Sequence, residues 1–261
     1  MEFIVQSITA KSRCHERNED NFICNDKYIV IADGMGGEAC GEVASKIAIS
    51  TISSYMDNSL IEANCEEDIQ KLAFSAISYA DKEILEYIAT HPEANGMGTT
   101  VVLMIHIGYN LYVSWCGDSR CYYFTPSKRL KSLTTDHSYV QQLIDDGIIT
   151  VDESFTHPDN NLITNYVGGG EDTCKPEFIS SELDIDGCII LCSDGLSGYC
   201  KTDEIERELR QSTYDNLPEK LLELAIRRGS DDDITIVTLT PKIHIQKDKN
   251  PVLGWLKKLI H

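Results

Sequence analysis

The stretch YIVIADGMGG at residues 28–37 runs an apolar segment directly into Asp33. An apolar run of this length, bounded by turn-forming residues, predicts a buried β-strand that ends at the aspartate. The stretch GCIILCSDGLSG at residues 187–198 repeats the arrangement, with Asp194 after the second apolar run. The chain therefore places a carboxylate at the end of each of two core strands.

Two more acidic positions lie at predicted strand ends. Asp118 ends the run YVSWCGD at residues 112–118, and Asp231–Asp233 come directly before the apolar segment at 234–239. A single Asp-Gly pair is usually a tight turn, but packing of the strands would bring all these ends together. Clustered carboxylates repel one another unless cations neutralise them, and ligands that are all oxygen suit Mg²⁺ or Mn²⁺. The pattern therefore predicts a divalent-cation site.

Composition limits the classes of function. The formal net charge of −19 argues against a general nucleic-acid surface, because such a surface needs basic patches. The ten cysteines form no Cys-x-x-Cys motif, so a zinc knuckle has little support. No apolar run approaches the roughly 18–20 residues of a membrane span, and the first residues lack the apolar core of a signal peptide. We expect a cytoplasmic protein with neither nucleic-acid nor membrane partners.

Hydrophobic periodicity predicts the other elements. Helical spacing of apolar residues predicts two early helices around 44–55 and 69–88. The apolar runs at 101–107 and 111–115 predict two strands that form a hairpin. The later elements are a strand at 121–124, a short helix at 140–144, a strand at 188–192, helices at 202–211 and 217–228, and a strand at 234–239. Thr202 is the predicted N-cap of its helix. This order favours a layered α+β fold with a mostly antiparallel sheet.

Several blocks, taken in order, closely resemble the bacterial form of the metal-dependent protein phosphatases of type 2C. The blocks are RNED at 17–20, VIADGMGGEACGEVAS at 30–45, GMGTTVV at 96–102, CGDSRCYYF at 116–124, THPDNNLITNYVGGG at 156–170, ILCSDGLSGY at 190–199 and GSDDDIT at 229–235. Together they span about residues 1–240, and the ordered set is far more specific than any one block.

The resemblance implies a four-layer αββα sandwich with two mostly antiparallel central sheets. It assigns residues 1–240 to a metal-dependent phosphatase domain with a flap at about 138–177. The remaining segment, 241–261, contains PVLGWLKKLIH and is predicted to be a basic amphipathic C-terminal tail.

Carried over position by position, the resemblance implies a set of catalytic metal ligands. Asp33 matches the aspartate that bridges both core metals, and Gly34 matches the glycine whose carbonyl binds one of them. Asp194 and Asp232 match ligands of the second metal, although the acidic run leaves open which of its three carboxylates is the ligand. Asp118 matches a ligand of a third, weaker metal. The implied cofactors are two or three Mg²⁺ or Mn²⁺ ions.

The resemblance also implies residues that support the metals and the substrate. Glu19 and Asp20 match carboxylates that hold metal-bound waters. The family usually has an arginine that grips the phosphate, and His15 stands at that position, flanked by Arg13 and Arg17. Any of these three side chains is a candidate for binding the substrate phosphate.

Two other departures bear on mechanism. Met35 stands where eukaryotic members carry a histidine proposed as general acid, so we expect a metal-bound water to protonate the leaving group. Asp233 stands where the family has an asparagine, and an extra carboxylate would attract metal and repel phosphate. His137 is expected to be a loop histidine that caps a helix.

The implied activity is hydrolysis of phosphoserine or phosphothreonine by a metal-bridging hydroxide, without a phosphoenzyme. The implied partners are phosphorylated proteins, together with an opposing serine/threonine kinase in the same signalling pathway. The alternative is a non-catalytic pseudophosphatase that binds phosphoproteins, and its motivation is the pair of departures at His15 and Asp233.

Overall fold

The computed structural model describes residues 3–36, 40–60, 63, 65–170, 172–184, 186–212 and 214–242. The β-strands in this part of the chain are β1 (Phe3–Ala10), β2 (Asp20–Cys24), β3 (Tyr28–Met35), β4 (Gly98–Thr99), β5 (Val101–Ile107), β6 (Asn110–Cys116), β7 (Arg120–Phe124), β8 (Lys131–Ser132), β9 (Glu177–Glu182), β10 (Cys188–Cys192) and β11 (Ile234–Pro241). The α-helices are α1 (Gly41–Ser59), α2 (Glu66–Thr90), α3 (Tyr139–Asp145), α4 (Val151–Ser154), α5 (Asp194–Ser197), α6 (Thr202–Gln211) and α7 (Leu217–Arg228).

The strands form two sheets, and the paired strands of the described residues are antiparallel throughout. One sheet has the order β1-β11-β10-β7-β8. The other has the order β2-β3-β5-β6-β9, with β4 beside β3. The predicted hairpin of β5 and β6 is confirmed, with Ile107 opposite Asn110 at its closed end.

The layers follow from the alternation of side chains along each strand. In β3, Ile31 packs into the core between the two sheets, whereas Val30 packs against α1 and α2. In β10, Leu191 packs between the sheets and Ile190 packs against α6 and α7. Both sheets are therefore buried on both faces, which explains why their central strands are unbroken apolar runs. The predicted four-layer αββα sandwich is confirmed.

The sheet topology brings the acidic strand ends together. Asp20 of β2 lies directly opposite Asp33 of β3. The first residue of β7 lies opposite the last residue of β10, so Asp118, just before β7, and Asp194, just after β10, lie at one end of that sheet. Because β11 is antiparallel to β10, Asp232, just before β11, lies at this end too.

Element boundaries agree with the sequence prediction for α6 and α7, which begin and end at the expected residues. The predicted N-cap of α6 is wrong by one position. Lys201 is the cap, with extended backbone at φ −66° and ψ 149°, and Thr202 is the first helical residue. The Glu204 carboxylate accepts the Lys201 N–H at 3.1 Å, which satisfies a backbone donor at the start of the helix.

The segment predicted as a flap, 138–177, contains α3 and α4 and then runs into β9. Most of the segment predicted as a C-terminal tail, from residue 243 to 261, lies outside the described residues. Among the described residues, no helix combines the length and the apolar character that crossing a membrane requires.

Candidate metal centre

Asp33 lies at the centre of the acidic group. The pKa of Asp33 is raised well above its ordinary value, because burial desolvates the carboxylate and other carboxylates lie close by. These neighbours are, in decreasing order of effect, Asp20, Asp194, Asp232 and Asp118. The structure therefore brings together five acidic side chains that are far apart in the chain.

The other members of this group titrate abnormally for the same reason. Burial raises the pKa of Asp20 to about 7 and that of Asp194 to about 6, with contributions from neighbouring carboxylates. The pKa of Asp118 is raised well above its ordinary value by burial and then by the charge of Asp194. Without a counter-charge, deprotonating this group in the folded protein is unfavourable.

Three buried carboxylate oxygens in the group have no hydrogen-bond partner. They are Oδ1 of Asp20, Oδ1 of Asp118 and Oδ1 of Asp194. The nearby guanidinium of Arg120 does not serve them, because it donates to both carboxylate oxygens of Asp136 at 2.7 and 2.6 Å. A set of unpartnered oxygens with surplus negative charge fits hard divalent cations.

Thr100 connects two of the segments that carry the carboxylates. The Asp33 N–H donates to Thr100 Oγ1 at 3.1 Å, and the Thr100 N–H donates to the Asp33 carbonyl at 2.8 Å. Thr100 Oγ1 also lies 2.7 Å from Ser119 Oγ, next to Asp118. A short polar network therefore holds β3 and the loop before β7 at a fixed separation.

The glycines that follow the two aspartates permit close packing of backbone. Asp33-Gly34 lies within β3 and is no turn, and a Cβ at Gly34 would lie 2.1 Å from the Gly41 carbonyl oxygen. A Cβ at Gly195 would lie 2.0 Å from the Asp233 carbonyl oxygen. Any larger residue at either position would push apart the segments that position the carboxylates.

The three consecutive aspartates before β11 have different environments. Asp231 is exposed, and its carboxylate accepts a hydrogen bond from the Tyr199 hydroxyl. Asp233 is 1% exposed and accepts backbone N–H groups of Ser12 at 2.6 Å and Glu19 at 2.7 Å. Asp232 is the member whose charge acts on Asp33. Of the three, Asp232 is the one that joins the acidic group.

Glu19 lies beside the acidic group and precedes one of its members, Asp20, in the chain. Burial raises the pKa of Glu19, and its carbonyl accepts the Gly34 N–H at 3.2 Å. Oδ2 of Asp20 accepts the Ser193 hydroxyl at 2.8 Å, which fixes the side chain while its other oxygen has no partner.

The three candidates for phosphate binding, Arg13, His15 and Arg17, all lie on the loop between β1 and β2, but they differ in exposure and in their contacts. His15 Nδ1 lies 3.0 Å from Asp233 Oδ2 and 3.9 Å from Asp232 Oδ1, and the hydrogen bond to Asp233 raises the pKa of His15. Arg17 is 65% exposed and lies 2.6 Å from a carboxylate oxygen of Glu42. Arg13 is exposed. His15 is therefore the candidate that contacts the aspartates before β11.

Two polar anchors near the flap were missed by the sequence analysis. His137 does not cap α3, because Ser138 is the cap; His137 Nδ1 instead accepts the Gly117 N–H at 3.1 Å. Asp81, on the apolar stripe of α2, accepts the Gly168 N–H at 2.7 Å. The sequence did carry a signal for Asp81, because a charged residue on an otherwise apolar helical stripe needs a polar partner when it is buried.

Comparison with known proteins identifies the family. A family model described as protein phosphatase 2C matches residues 12–223. The chain belongs to the protein phosphatase 2C family. Serine/threonine phosphatase stp of Listeria monocytogenes is 31% identical over 239 residues, which cover 88% of this chain and 92% of that protein.

Other family members extend the comparison. PstP of Mycobacterium tuberculosis is 32% identical over 237 residues, which cover 91% of this chain but 45% of PstP, so the chain spans about half the length of that relative. The crystal structure of Stp1 from Staphylococcus aureus superimposes with a TM-score of 0.84 at 29% identity, covering 93% of this chain and 96% of Stp1. A PstP catalytic domain in complex with two manganese ions superimposes with a TM-score of 0.78 at 28% identity, covering 91% and 97%.

Proposed function

We propose that this chain is a serine/threonine protein phosphatase that needs divalent cations and hydrolyses phosphoserine and phosphothreonine in other proteins. The observation that carries the proposal is the set of buried, unpartnered carboxylate oxygens at one end of a protein phosphatase 2C fold. Relatives named serine/threonine phosphatases support the same activity.

The proposed metal ligands are Asp33 and four residues near it. Asp33 would bridge two ions, the Gly34 carbonyl would bind one of them, and Asp194 and Asp232 would bind the other. Asp118 would hold a third ion. Mg²⁺ or Mn²⁺ bound there would neutralise charge on the phosphate and activate water for in-line attack on phosphorus. The complex of the PstP catalytic domain with two manganese ions supports the binding of at least two such ions.

Residues around these ligands would orient water and substrate. Glu19 and the unpartnered oxygen of Asp20 would accept hydrogen bonds from water at the metal centre. We assign the phosphate contact to His15, because Asp233 holds Nδ1 and thereby leaves Nε2 for the substrate. The raised pKa keeps this imidazole positively charged at higher pH than usual. Arg17 is the weaker candidate, since Glu42 already pairs with it.

Phosphorylated proteins, and an opposing serine/threonine kinase that supplies them, are the partners that this chemistry requires. We propose that the reaction takes place in the cytoplasm. Five cysteines, at positions 116, 121, 188, 192 and 200, are buried as free thiols, which is typical of proteins in a reducing compartment.

Release of inorganic phosphate from phosphothreonine and phosphoserine peptides tests the proposal. We expect release in the presence of Mn²⁺ and none after chelation. A protein that releases no phosphate from any peptide with excess Mn²⁺ would instead be a binding protein. His15→Ala should raise KM for the peptide more than it lowers kcat if His15 binds the ground-state phosphate, and His15→Arg should preserve KM.

A further inference from the structure

A groove lies beside the flap, between α3, α4 and the first turn of α6. It encloses about 420 Å³. Its apolar wall consists of Val140 and Ile144 of α3, Val151 of α4 and Phe155, which follows α4. Val151 is 60% exposed although it is apolar. The groove therefore presents apolar surface that the described residues leave uncovered.

This groove lies next to the candidate metal centre. A smaller cavity of about 60 Å³ has Asp118 and Asp194 in its wall and shares Val140 and Phe155 with the groove. A polypeptide whose phosphorylated side chain reaches the metal centre would therefore lay nearby residues along the groove.

The charged residues in the groove wall already have partners of opposite charge. Arg120 donates to both carboxylate oxygens of Asp136, and Lys201 Nζ lies 2.6 Å from Asp152 Oδ1. The remaining carboxylate, Asp203, lies 3.5 Å from an arginine one turn further along α6. A charged side chain entering the groove would find its counter-charges occupied, whereas an apolar one would gain by burial.

We propose that this groove binds an apolar side chain of the substrate polypeptide, a few residues away from the phosphorylated serine or threonine. The proposal rests on the proposed phosphatase function and adds a sequence preference to it. The wall that the groove shares with the cavity at the metal centre favours a substrate segment as the occupant. The apolar side chains in the wall, together with the paired charges, favour an apolar side chain.

Peptides that differ at one residue test this preference on the full-length protein with Mn²⁺. Each position within about four residues of the phosphothreonine, a span of ~14 Å of extended chain, would carry either leucine or serine. We expect kcat/KM to be roughly tenfold higher with leucine at one or two adjacent positions. Turnover of para-nitrophenyl phosphate, which is too small to reach the groove, provides the reference.

A matched pair of variants localises the effect. Val151→Asp places a charge in the groove and should remove the leucine preference, with turnover of para-nitrophenyl phosphate unchanged. Ile148→Asp is the control, because Ile148 is 65% exposed on the same flap and does not line the groove. It should leave the preference intact.

The proposal is overturned if the wild-type protein prefers leucine at no position, or if both variants change peptide turnover equally. If Val151→Asp fails to fold, the comparison of peptides on the wild-type protein decides alone. A wild-type protein that hydrolyses neither the peptides nor para-nitrophenyl phosphate would refute the phosphatase function itself, and this proposal with it.

Discussion

Asp33 is the residue on which the metal centre most depends, because four other carboxylates act on it. Asp33→Asn removes its charge and one oxygen ligand while keeping its size. We expect phosphate release to fall by at least about a hundredfold, since bound metal supplies several kcal/mol of charge stabilisation to the transition state. Circular dichroism should report an unchanged fold.

The control for this variant is Asp231→Asn, which changes an exposed aspartate in the same group of strand ends. It should retain nearly full activity. Unchanged activity in Asp33→Asn would refute the assignment of Asp33 as a metal ligand.

The raised pKa values also predict how the metal-free protein responds to pH. Asp20 at about 7 and Asp194 at about 6 lie above the ordinary value of 3.8. Between pH 3.8 and about 7, the folded state therefore binds more protons than the unfolded state. The free energy of unfolding consequently falls as the pH rises from about 4 to 7. With chelator present, we expect a lower Tm at pH 7.5 than at pH 5.

Addition of Mn²⁺ at pH 7.5 should raise that Tm, because the cation binds the deprotonated folded state. Asp33→Asn should show a weaker dependence of Tm on pH than the wild-type protein. A metal-free wild-type protein whose Tm rises over this pH range would contradict the raised pKa values of these buried carboxylates.

The sequence was enough to predict some residues of the site but not others. Asp33 and Asp194 were identified because each follows its own apolar run, a pattern that is visible locally, although β3 extends past Asp33 to Met35. The resemblance pointed to Asp232, but the residues alone left Asp231 and Asp233 open, since the choice depends on how the β1–β2 loop packs against β11. The role of Asp81 was missed for a similar reason, because its partners lie 87 residues further along the chain.

The loop between β1 and β2 is held in place chiefly by Asp233 at the start of β11. One carboxylate oxygen accepts the Ser12 N–H, and the other accepts the Glu19 N–H and contacts His15. Asp233→Asn, which restores the residue usual in the family, would turn an NH₂ group toward one of these donors. We expect a loss of about 1–3 kcal/mol in the free energy of unfolding, measured by urea denaturation.

Asp231→Asn serves again as the control, because Asp231 is exposed and should change stability by less than about 0.5 kcal/mol. Equal stability of Asp233→Asn and the wild-type protein would mean that the buried carboxylate does not organise the loop.

Whole elements were more predictable than single contacts. Helices α6 and α7 and strand β10 have the predicted ends because their apolar periodicity is clear. Strand β9 was not predicted, since it lies at a sheet edge and its residues are at most half-buried. An edge strand of this kind carries a weaker hydrophobic pattern than a central one.

At the scale of the whole molecule, the net charge of −19 acts against the phosphorylated substrates that the site requires. Repulsion of this kind is screened by salt. For an acidic phosphopeptide, we expect kcat/KM to rise by about twofold or more between low and moderate ionic strength. A basic peptide with the same phosphorylated residue should show the opposite trend, and equal trends would mean that long-range charge does not affect association.

Diffraction from crystals soaked in Mn²⁺, recorded at the manganese absorption edge, would locate the metal ions. We expect anomalous peaks between the carboxylates of Asp33, Asp194 and Asp232, with a weaker peak at Asp118. Peaks that are absent from this end of the sandwich, or found only where the ligand atoms of His15, Asp232 and Asp233 lie within 4.8 Å of one another, would refute these ligands.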